Sequence, residues 1–312
     1  MNVRLATEAM GTRFEVVLNG DDPNRLRAIG EAALDEVRDW HDRLSLFESG
    51  SFLSYVNRHA ADQPVRLDDE MFELLAECAE IHLASNGAFD ITVAPLMRAW
   101  GFYGDPAGPD AGPSDQPVGA GDIQLDADKR TIRFRRPGMR IDLGGVGKGH
   151  ALDAAASVMR ENDITCGLLH GGTSTVIAFG SPPGEDGWRI ALKQDGPSPV
   201  VTLRDAALSV SAPHGRMVEV DGERLGHIID PASGSPATGT QLAAVVGPAA
   251  RQADAWSTAL LVLGARPPGL DARLTTLIVH DENADPRWTI DGPECGIFSL
   301  PDCLPKATET KP

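Results

Sequence analysis

The segment HIIDPASGSP, from His227 to Pro236, combines residue types that can do chemistry. Two β-branched residues favour a strand, and Asp, Pro, Ser and Gly directly behind them favour a turn. His227 is therefore expected at the mouth of a loop, where catalytic residues are common. A partly buried, hydrogen-bonded histidine is the simpler alternative for this residue alone.

The segment IDLGGVGKGHALD, from Ile141 to Asp153, predicts a strand, a glycine-rich turn and a helix. Backbone N–H groups and the positive end of a helix meet in such a turn and suit a phosphate, and Lys148 adds a full charge. It is not a Walker A loop, because Gly149 follows the lysine and Asp142 replaces the upstream glycine. A tight strand-to-helix turn without a ligand remains the alternative.

The segment ADAWSTALLVLG, from Ala253 to Gly264, places Asp254 and Thr258 four residues apart. In a helix these side chains share one face, where a carboxylate and a hydroxyl can hold a hard cation such as Mg²⁺. The alternative is an aspartate cap at the helix start with an exposed threonine.

The composition describes an acidic globular protein. Its 312 residues, 42% of them hydrophobic, can fill a large core in one large domain or two lobes. The net charge of −17 argues against nucleic acid and anionic membrane surfaces as partners. An anionic small molecule would need local help from a metal ion, a lysine or a helix N-terminus.

The cysteine pattern and the N-terminal residues predict a cytoplasmic protein. The four cysteines have no CxxC spacing and are interpreted as thiols, although Cys295 and Cys303 could pair if the chain were exported. The first 18 residues lack the apolar segment of a signal peptide, and no segment is long enough for a membrane span.

The apolar spacing indicates helices and strands that do not alternate strictly, which predicts an α+β fold. Helices are expected over 24–44, 69–84, 148–161 and 254–263, with His82 on a helix surface. Strands are expected at 13–18, 122–125, 131–134, 139–143 and 274–280, with further strands between 168 and 220. Residues 104–121 predict a flexible loop, and residues 301–312 a frayed tail.

Three more segments complete a set of ordered motifs: EAMGTRFEV from Glu8, NGAFDITVAPLMRAWGF from Asn86, and LLHGGTSTVIAFG from Leu168. In their order and spacing, the six motifs resemble those of the ApbE family, the FAD:protein FMN transferases. The resemblance covers about residues 5–285, and the whole chain is interpreted as a single domain of this kind.

The resemblance implies an α+β roll of two lobes with FAD bound between them. It implies an Mg²⁺-dependent enzyme that cleaves FAD, attaches FMN through a phosphoester to a Thr or Ser of an acceptor protein, and releases AMP. The positions that match the lining of the flavin nucleotide are Met10, Ala88, Phe89, Asp90, Asp142, Lys148 and Ile228. The positions that match the metal site are Gly145, Asp254, Ser257 and Thr258.

His227 is the candidate general base for this chemistry. A hydroxyl is a poor nucleophile, and a histidine within hydrogen-bonding reach can take its proton as the bond to phosphorus forms. Asp254 is assigned a catalytic role through the metal ion, and Lys148 with the loop amides is expected to position the pyrophosphate.

The sequence departs from the family pattern in three places. Phe47 stands where relatives have a tyrosine that packs on the flavin nucleotide, and is expected to keep the stacking but not the hydroxyl. Thr173 replaces the aspartate of a GGD motif, and residues 211–216 read SAPHGR where many members have TSG and an aromatic. These changes bear on acceptor preference.

Two other functions are compatible with the same residues. An FAD pyrophosphatase that transfers FMN to water needs the same metal and loop. A protein that only binds or stores FAD is less consistent with Asp254, Thr258 and His227 together, because storage needs no base beside a metal.

Overall fold

The computed structural model describes residues 1–104, 116–193, 198–213, 215, 217–220, 222–280, 287–299 and 308–310. The helices are α1 (Pro23–Leu44), α2 (Phe52–His59), α3 (Asp69–Ala84), α4 (Ala94–Ala99), α5 (Gly147–Glu161) and α6 (Ala250–Leu263). The strands are β1 (Asn2–Ala9), β2 (Thr12–Asn19), β3 (Val65–Arg66), β4 (Ile123–Asp126), β5 (Thr131–Phe134), β6 (Gly167–Gly171), β7 (Thr175–Phe179), β8 (Trp188–Ala191), β9 (Val200–Leu203), β10 (Ala207–Ser211), β11 (Met217–Val220), β12 (Glu223–Gly226), β13 (Ile229–Asp230), β14 (Ser235–Pro236), β15 (Thr240–Gly247), β16 (Thr275–His280), β17 (Arg287–Asp291), β18 (Phe298–Ser299) and β19 (Thr308–Thr310).

A nine-stranded sheet organises the molecule, in the order β1-β2-β6-β7-β10-β15-β16-β17-β19. All its strand pairs are antiparallel except β17 with β19. Helices and antiparallel strands are therefore segregated, and the predicted α+β class is confirmed.

Both faces of the central strands of this sheet are buried. Along β15, Ala243 and Val245 face the core beneath α1, α5 and α6, whereas Leu242, Ala244 and Val246 face a second core. The three-stranded sheet β18-β9-β8 covers that second face. Successive residues of a strand point to opposite faces, so the continuous apolar stretches in β7, β15 and β16 follow from two-sided burial.

The helix boundaries follow local signals except at α6. Helix α3 spans the predicted residues, and the Asp68 carboxylate caps it by accepting from Met71 N. Helix α6 begins at Ala250, four residues before the predicted start, because the Asp153 carboxylate accepts from Ala250 N and Arg251 N at 2.9 Å each. Asp254 therefore lies inside the helix, and its interpretation as a cap is wrong.

One predicted strand is absent. Residues 139–143 pair with no strand, because the side chain of Asn57 replaces a strand partner: its Nδ2 donates to Ile141 O at 2.9 Å and its Oδ1 accepts from Ile141 N at 2.8 Å. The predicted loop at 104–121 and tail at 301–312 lie largely outside the described residues. Among the residues that are described, no helix has both the length and the apolar character that crossing a membrane requires.

His150 is a buried histidine at the junction of α1 and α5. Its ring meets Trp40 edge to face at 4.1 Å between centroids, and neither ring nitrogen has a hydrogen-bond partner within the described part of the chain. Burial, helped by the positive charges of Arg251 and Arg43, lowers the pKa of His150 to about 3.

We therefore expect His150 to make folding stability pH-dependent. Between the unfolded pKa, about 6.5, and the native value, about 3, the unfolded chain binds a proton that the native protein does not. Stability should fall as pH decreases through this window, by up to about 1.4 kcal/mol per pH unit. His150→Phe keeps a ring against Trp40 and should remove this contribution. Urea unfolding of both proteins at pH 7.5, 6 and 5 measures this contribution. If the free energy of unfolding depended on pH equally in both proteins, His150 would not be its source.

Candidate functional site

A cleft of about 1250 Å³ lies between the loops that follow α1 and α3, the glycine-rich loop before α5, and the ends of β10 and β12. It contains nearly every residue predicted for the site. Those that line it are Met10, Phe47, Ala88, Phe89, Asp90, Asp142, Gly145, Lys148, His227, Ile228, Asp254 and Thr258. Segments that are distant in sequence therefore meet in one place, which supports treating the motifs as one site.

The Ala88–Asp90 segment is positioned by a turn after α3. Asn86 and Gly87 adopt positive φ angles of 52° and 85°, which fold the chain back over the helix end. The Asp90 carboxylate is buried and accepts from Thr92 N at 2.7 Å and from Ala120 N at 3.0 Å. Asp90 thus organises the loop as well as lining the cleft.

His82 is part of this arrangement. Its Nδ1 lies 3.0 Å from Phe89 O and 3.5 Å from Asp90 Oδ2. Its interpretation as a simple helix-surface residue is wrong, because the turn at Asn86 and Gly87 brings the following loop back onto it.

Asp142 is fixed from both sides. Its backbone N donates to Ile91 O at 2.7 Å, directly after the Ile141 backbone that Asn57 holds. The Tyr103 hydroxyl donates to Asp142 Oδ2, and Gly144 N donates to Oδ1 at 2.7 Å. Nothing in the sequence pattern pointed to Tyr103, because its partner lies 39 residues away.

The glycine-rich loop shapes the contact between α5 and α6. A Cβ on Gly149 would lie 2.3 Å from Ala250 O, so only glycine allows this approach. Gly149 N donates to Asp254 Oδ2 at 3.1 Å, and Gly147 N to Leu143 O at 2.7 Å. These amides bind partners within the chain, so the loop has fewer amides for a phosphate than the sequence suggested.

Asp254 is the buried centre of a polar cluster. Its Oδ1 accepts from Ser209 Oγ at 3.0 Å and lies 3.5 Å from Thr175 Oγ1, while Lys148 Nζ lies 3.5 Å from Oδ2. Strands β7 and β10 and helix α5 thus all contribute donors to one carboxylate. Sequence spacing did not indicate that Ser209 or Thr175 belongs to the site, because both lie in strands whose other residues are mainly apolar.

The oxygens around Asp254 suit a hard cation. A Cβ on Gly145 would lie 3.3 Å from Thr258 Oγ1, so the bare glycine keeps a small space open beside that hydroxyl. Thr258 Oγ1 donates to Asp254 O at 3.2 Å, which leaves its lone pairs available. The described residues contain no cluster of three or more His, Cys, Asp or Glu able to hold a metal ion. Any cation here depends on one carboxylate and neutral oxygens.

Ser257, also predicted for the metal site, does not line the cleft. Its hydroxyl is fully buried, lies 2.9 Å from Ser211 Oγ and donates to Asp254 O at 3.0 Å. It faces β10 and supports the cluster from behind.

His227 follows the β11–β12 hairpin and stands at the cleft wall. A Cβ on Gly215 would lie 2.7 Å from His227 Cε1, so the neighbouring loop packs closely on the imidazole ring. The turn behind it is tied to α4, because Trp100 Nε1 donates to Gly234 O at 2.8 Å and Ile229 packs with Leu96. The predicted loop position of His227 is therefore found, on a rigid support.

The cleft also contains charged residues that were not predicted and positions where the sequence departs from the family pattern. Lys193 and Arg224 line it together with Lys148, so the cleft has three basic side chains beside the carboxylates of Asp90, Asp142 and Asp254. Phe47, 61% exposed, meets Tyr103 edge to face at 5.5 Å between ring centroids. Thr173 and Ser211, where the sequence departs from the family pattern, also line the cleft.

Comparisons with known proteins identify similar sequences and a similar solved structure. The sequence model of the ApbE family matches residues 10–270. A Klebsiella pneumoniae (strain 342) protein named FAD:protein FMN transferase is 29% identical over 82% of this chain and 77% of its own length. A Rhodobacter capsulatus protein of the same name is 31% identical, over 94% of this chain and 56% of its own length. The crystal structure of the ApbE protein from Thermotoga maritima matches with a TM-score of 0.79 and 27% identity, over 90% of this chain and 94% of that one.

We expect Asn57→Ala to destabilise the site and the fold together. The substitution leaves both the N–H and the C=O of Ile141 buried without their partner, at a cost of about 2–4 kcal/mol. Urea unfolding measures the loss, and Asn24→Ala, at an exposed position, is the control. A loss no larger than that of the control would show that another group takes over the role of Asn57.

Proposed function

The chain belongs to the ApbE family, and we propose that it acts as an FAD:protein FMN transferase: it cleaves FAD, joins FMN to a Thr or Ser hydroxyl of an acceptor protein, and releases AMP. The observation that carries this proposal is the meeting of the family's motif residues, from Met10 to Thr258, in one cleft. The relatives that are named FAD:protein FMN transferase support it.

The cleft suits a dinucleotide in size, and it offers individual basic groups to a pyrophosphate. Its volume of about 1250 Å³ exceeds the roughly 300–1000 Å³ of ordinary small-molecule pockets. Lys148, Lys193 and Arg224 can attract the pyrophosphate, although the chain as a whole carries a net charge of −17. The basic groups thus supply the local help that an anion needs in this protein.

Mg²⁺ fits the donor set described above. We propose that Asp254, Thr258 and the Gly145 carbonyl hold it, with Ser257 supporting Asp254 from behind. When bound, Mg²⁺ neutralises charge that develops on the pyrophosphate oxygens during transfer. The low protein charge of such a site favours a metal ion that is shared with substrate phosphates.

Different residues of the chain have different roles in the transfer step. The acceptor hydroxyl oxygen forms a bond to the FMN-side phosphorus, and the bond from that phosphorus to the bridging oxygen breaks, so that AMP leaves. His227 takes the hydroxyl proton. Lys148 holds the phosphates, and the Asp230–Ser235 turn, tied by Trp100 to α4, keeps His227 in place.

The experiment that tests this function incubates the purified protein with FAD, Mg²⁺ and the acceptor protein of a flavin-transferase relative. AMP together with flavin fluorescence on the denatured acceptor is expected. AMP with free FMN would indicate a pyrophosphatase, and FAD binding without either product would indicate storage.

We expect His227→Ala to slow FMN transfer by roughly 10²–10⁴-fold, the usual contribution of a general base. FAD affinity should stay within a few-fold, because the proton is taken only during transfer. Single-turnover transfer and fluorescence titration separate the two effects. His59→Ala, outside the cleft, is the control. A wild-type rate of transfer by the His227→Ala variant would show that His227 has only a structural role.

We expect Asp254→Asn to remove the coupling between metal and FAD. In the wild type, Mg²⁺ and FAD should each tighten the binding of the other by the same factor, because they share the site. The Asn variant keeps the shape of the side chain but loses its charge, so the coupling and most AMP release should disappear. Asp254→Ala should abolish AMP release.

FAD titrations with and without Mg²⁺, beside a thermal melt, measure this coupling. Asp126→Asn, at a carboxylate that pairs with Lys129 outside the cleft, is the control. Wild-type AMP release by folded Asp254→Ala would show that the metal site is elsewhere.

A further inference from the structure

The tight turn between β1 and β2 has an unusual residue at its first central position. Met10 has φ 50° and Gly11 φ 71°, and Ala9 pairs with Thr12 across the turn. A hairpin turn with two positive φ angles normally has Asn, Asp or Gly at the first of them, because a larger side chain is strained there. Backbone strain of this kind clusters at functional sites, and Met10 lines the cleft.

His41 holds this strained residue in place. It lies on the last turns of α1, and its Nδ1 accepts from Met10 N at 3.1 Å. The backbone N–H is a fixed donor, so Nδ1 must be unprotonated and the neutral ring carries its proton on Nε2. The N–H at the first central position of such a turn receives no acceptor from the hairpin itself, and His41 supplies one.

The other side of the turn is held by the loop between β6 and β7. Gly172 N donates to Arg13 O at 2.8 Å. A Cβ on Gly172 would lie 2.4 Å from Thr12 Oγ1, so this loop packs directly against Thr12, the residue that closes the turn. The turn is therefore fixed between α1 and this loop, and His41 is the contact that reaches Met10 itself.

We propose that His41 is a positioning residue for FAD: it fixes the left-handed backbone of Met10 so that the Met10 thioether forms a rigid part of the cleft wall against bound FAD. A polarizable thioether packs well on an aromatic ring. This role rests on the proposed function. His41 itself lines the same cleft, and Phe47 lies in the loop that follows α1.

The test is a double-mutant cycle on FAD affinity. His41→Ala should weaken FAD binding about three- to tenfold, and Met10→Gly, which relieves the strain but removes the side chain, should weaken it at least as much. The double variant should be no weaker than Met10→Gly, because His41 acts through Met10. His41→Gln, whose amide oxygen can accept from Met10 N, should recover most of the affinity. Asp42→Ala, exposed on the same helix, is the control.

A second measurement keeps this role separate from the proposed function. Hydrogen exchange at the Met10 amide without FAD should be slow in the wild type and His41→Gln, and faster in His41→Ala. Additive effects in the cycle, or unchanged affinity in folded His41→Ala, would overturn the positioning role. If the wild-type protein bound no FAD, the proposed function would fail, and the role of His41 toward FAD with it, whereas the exchange result would still report whether His41 holds the turn.

Discussion

The carboxylate of Asp254 links the sheet to the helices that cover it. It is 4% exposed and receives donors from β7, β10 and the first turn of α5. A carboxylate buried to this degree costs several kcal/mol unless such partners replace water. The positions of Thr175, Ser209 and Gly149 are therefore fixed relative to one another, and the cleft wall that contains Asp254 is as rigid as the core behind it.

The contact between α5 and α6 depends on the same cluster. Gly149 approaches Ala250 so closely that any side chain would collide, and this approach brings Gly149 N within reach of Asp254. Asp153, one turn further along α5, caps the start of α6. Glycine-rich sequence and helix capping thus place Lys148 beside Asp254, and the loop supports the site mainly by shaping this helix contact.

Sequence reasoning succeeded where the signal is local and failed where a partner is distant. Helix α3 could be predicted because its acidic first turn and apolar side lie within 69–84. The segment at 139–143 could not, because Asn57, 84 residues before Ile141, takes the place of a strand. The start of α6 was missed for the same reason, since Asp153 caps it from 97 residues away.

The candidate site shows the same limit. Ordered motifs located most of its lining residues, because each motif keeps a local pattern of turn and strand residues. The groups that orient those residues have no such pattern. Tyr103 beside Asp142, His82 beside Phe89 and Ser209 beside Asp254 are brought together only by the tertiary fold. A sequence therefore identifies the lining of this cleft more readily than the contacts that hold it.

The pairing of Lys148 with Asp254 supports the proposal that a cation and an anion enter this cleft together. The two groups lie 3.5 Å apart and are 23% and 4% exposed, so each partly neutralises the other. A cation that binds Asp254 alone takes the carboxylate away from Lys148 and leaves the ammonium without its partner. An anion that binds Lys148 alone leaves the Asp254 carboxylate without its partner. When both arrive, each charge gains a new partner. A metal ion and a pyrophosphate that contact each other therefore fit this pair better than either ligand alone.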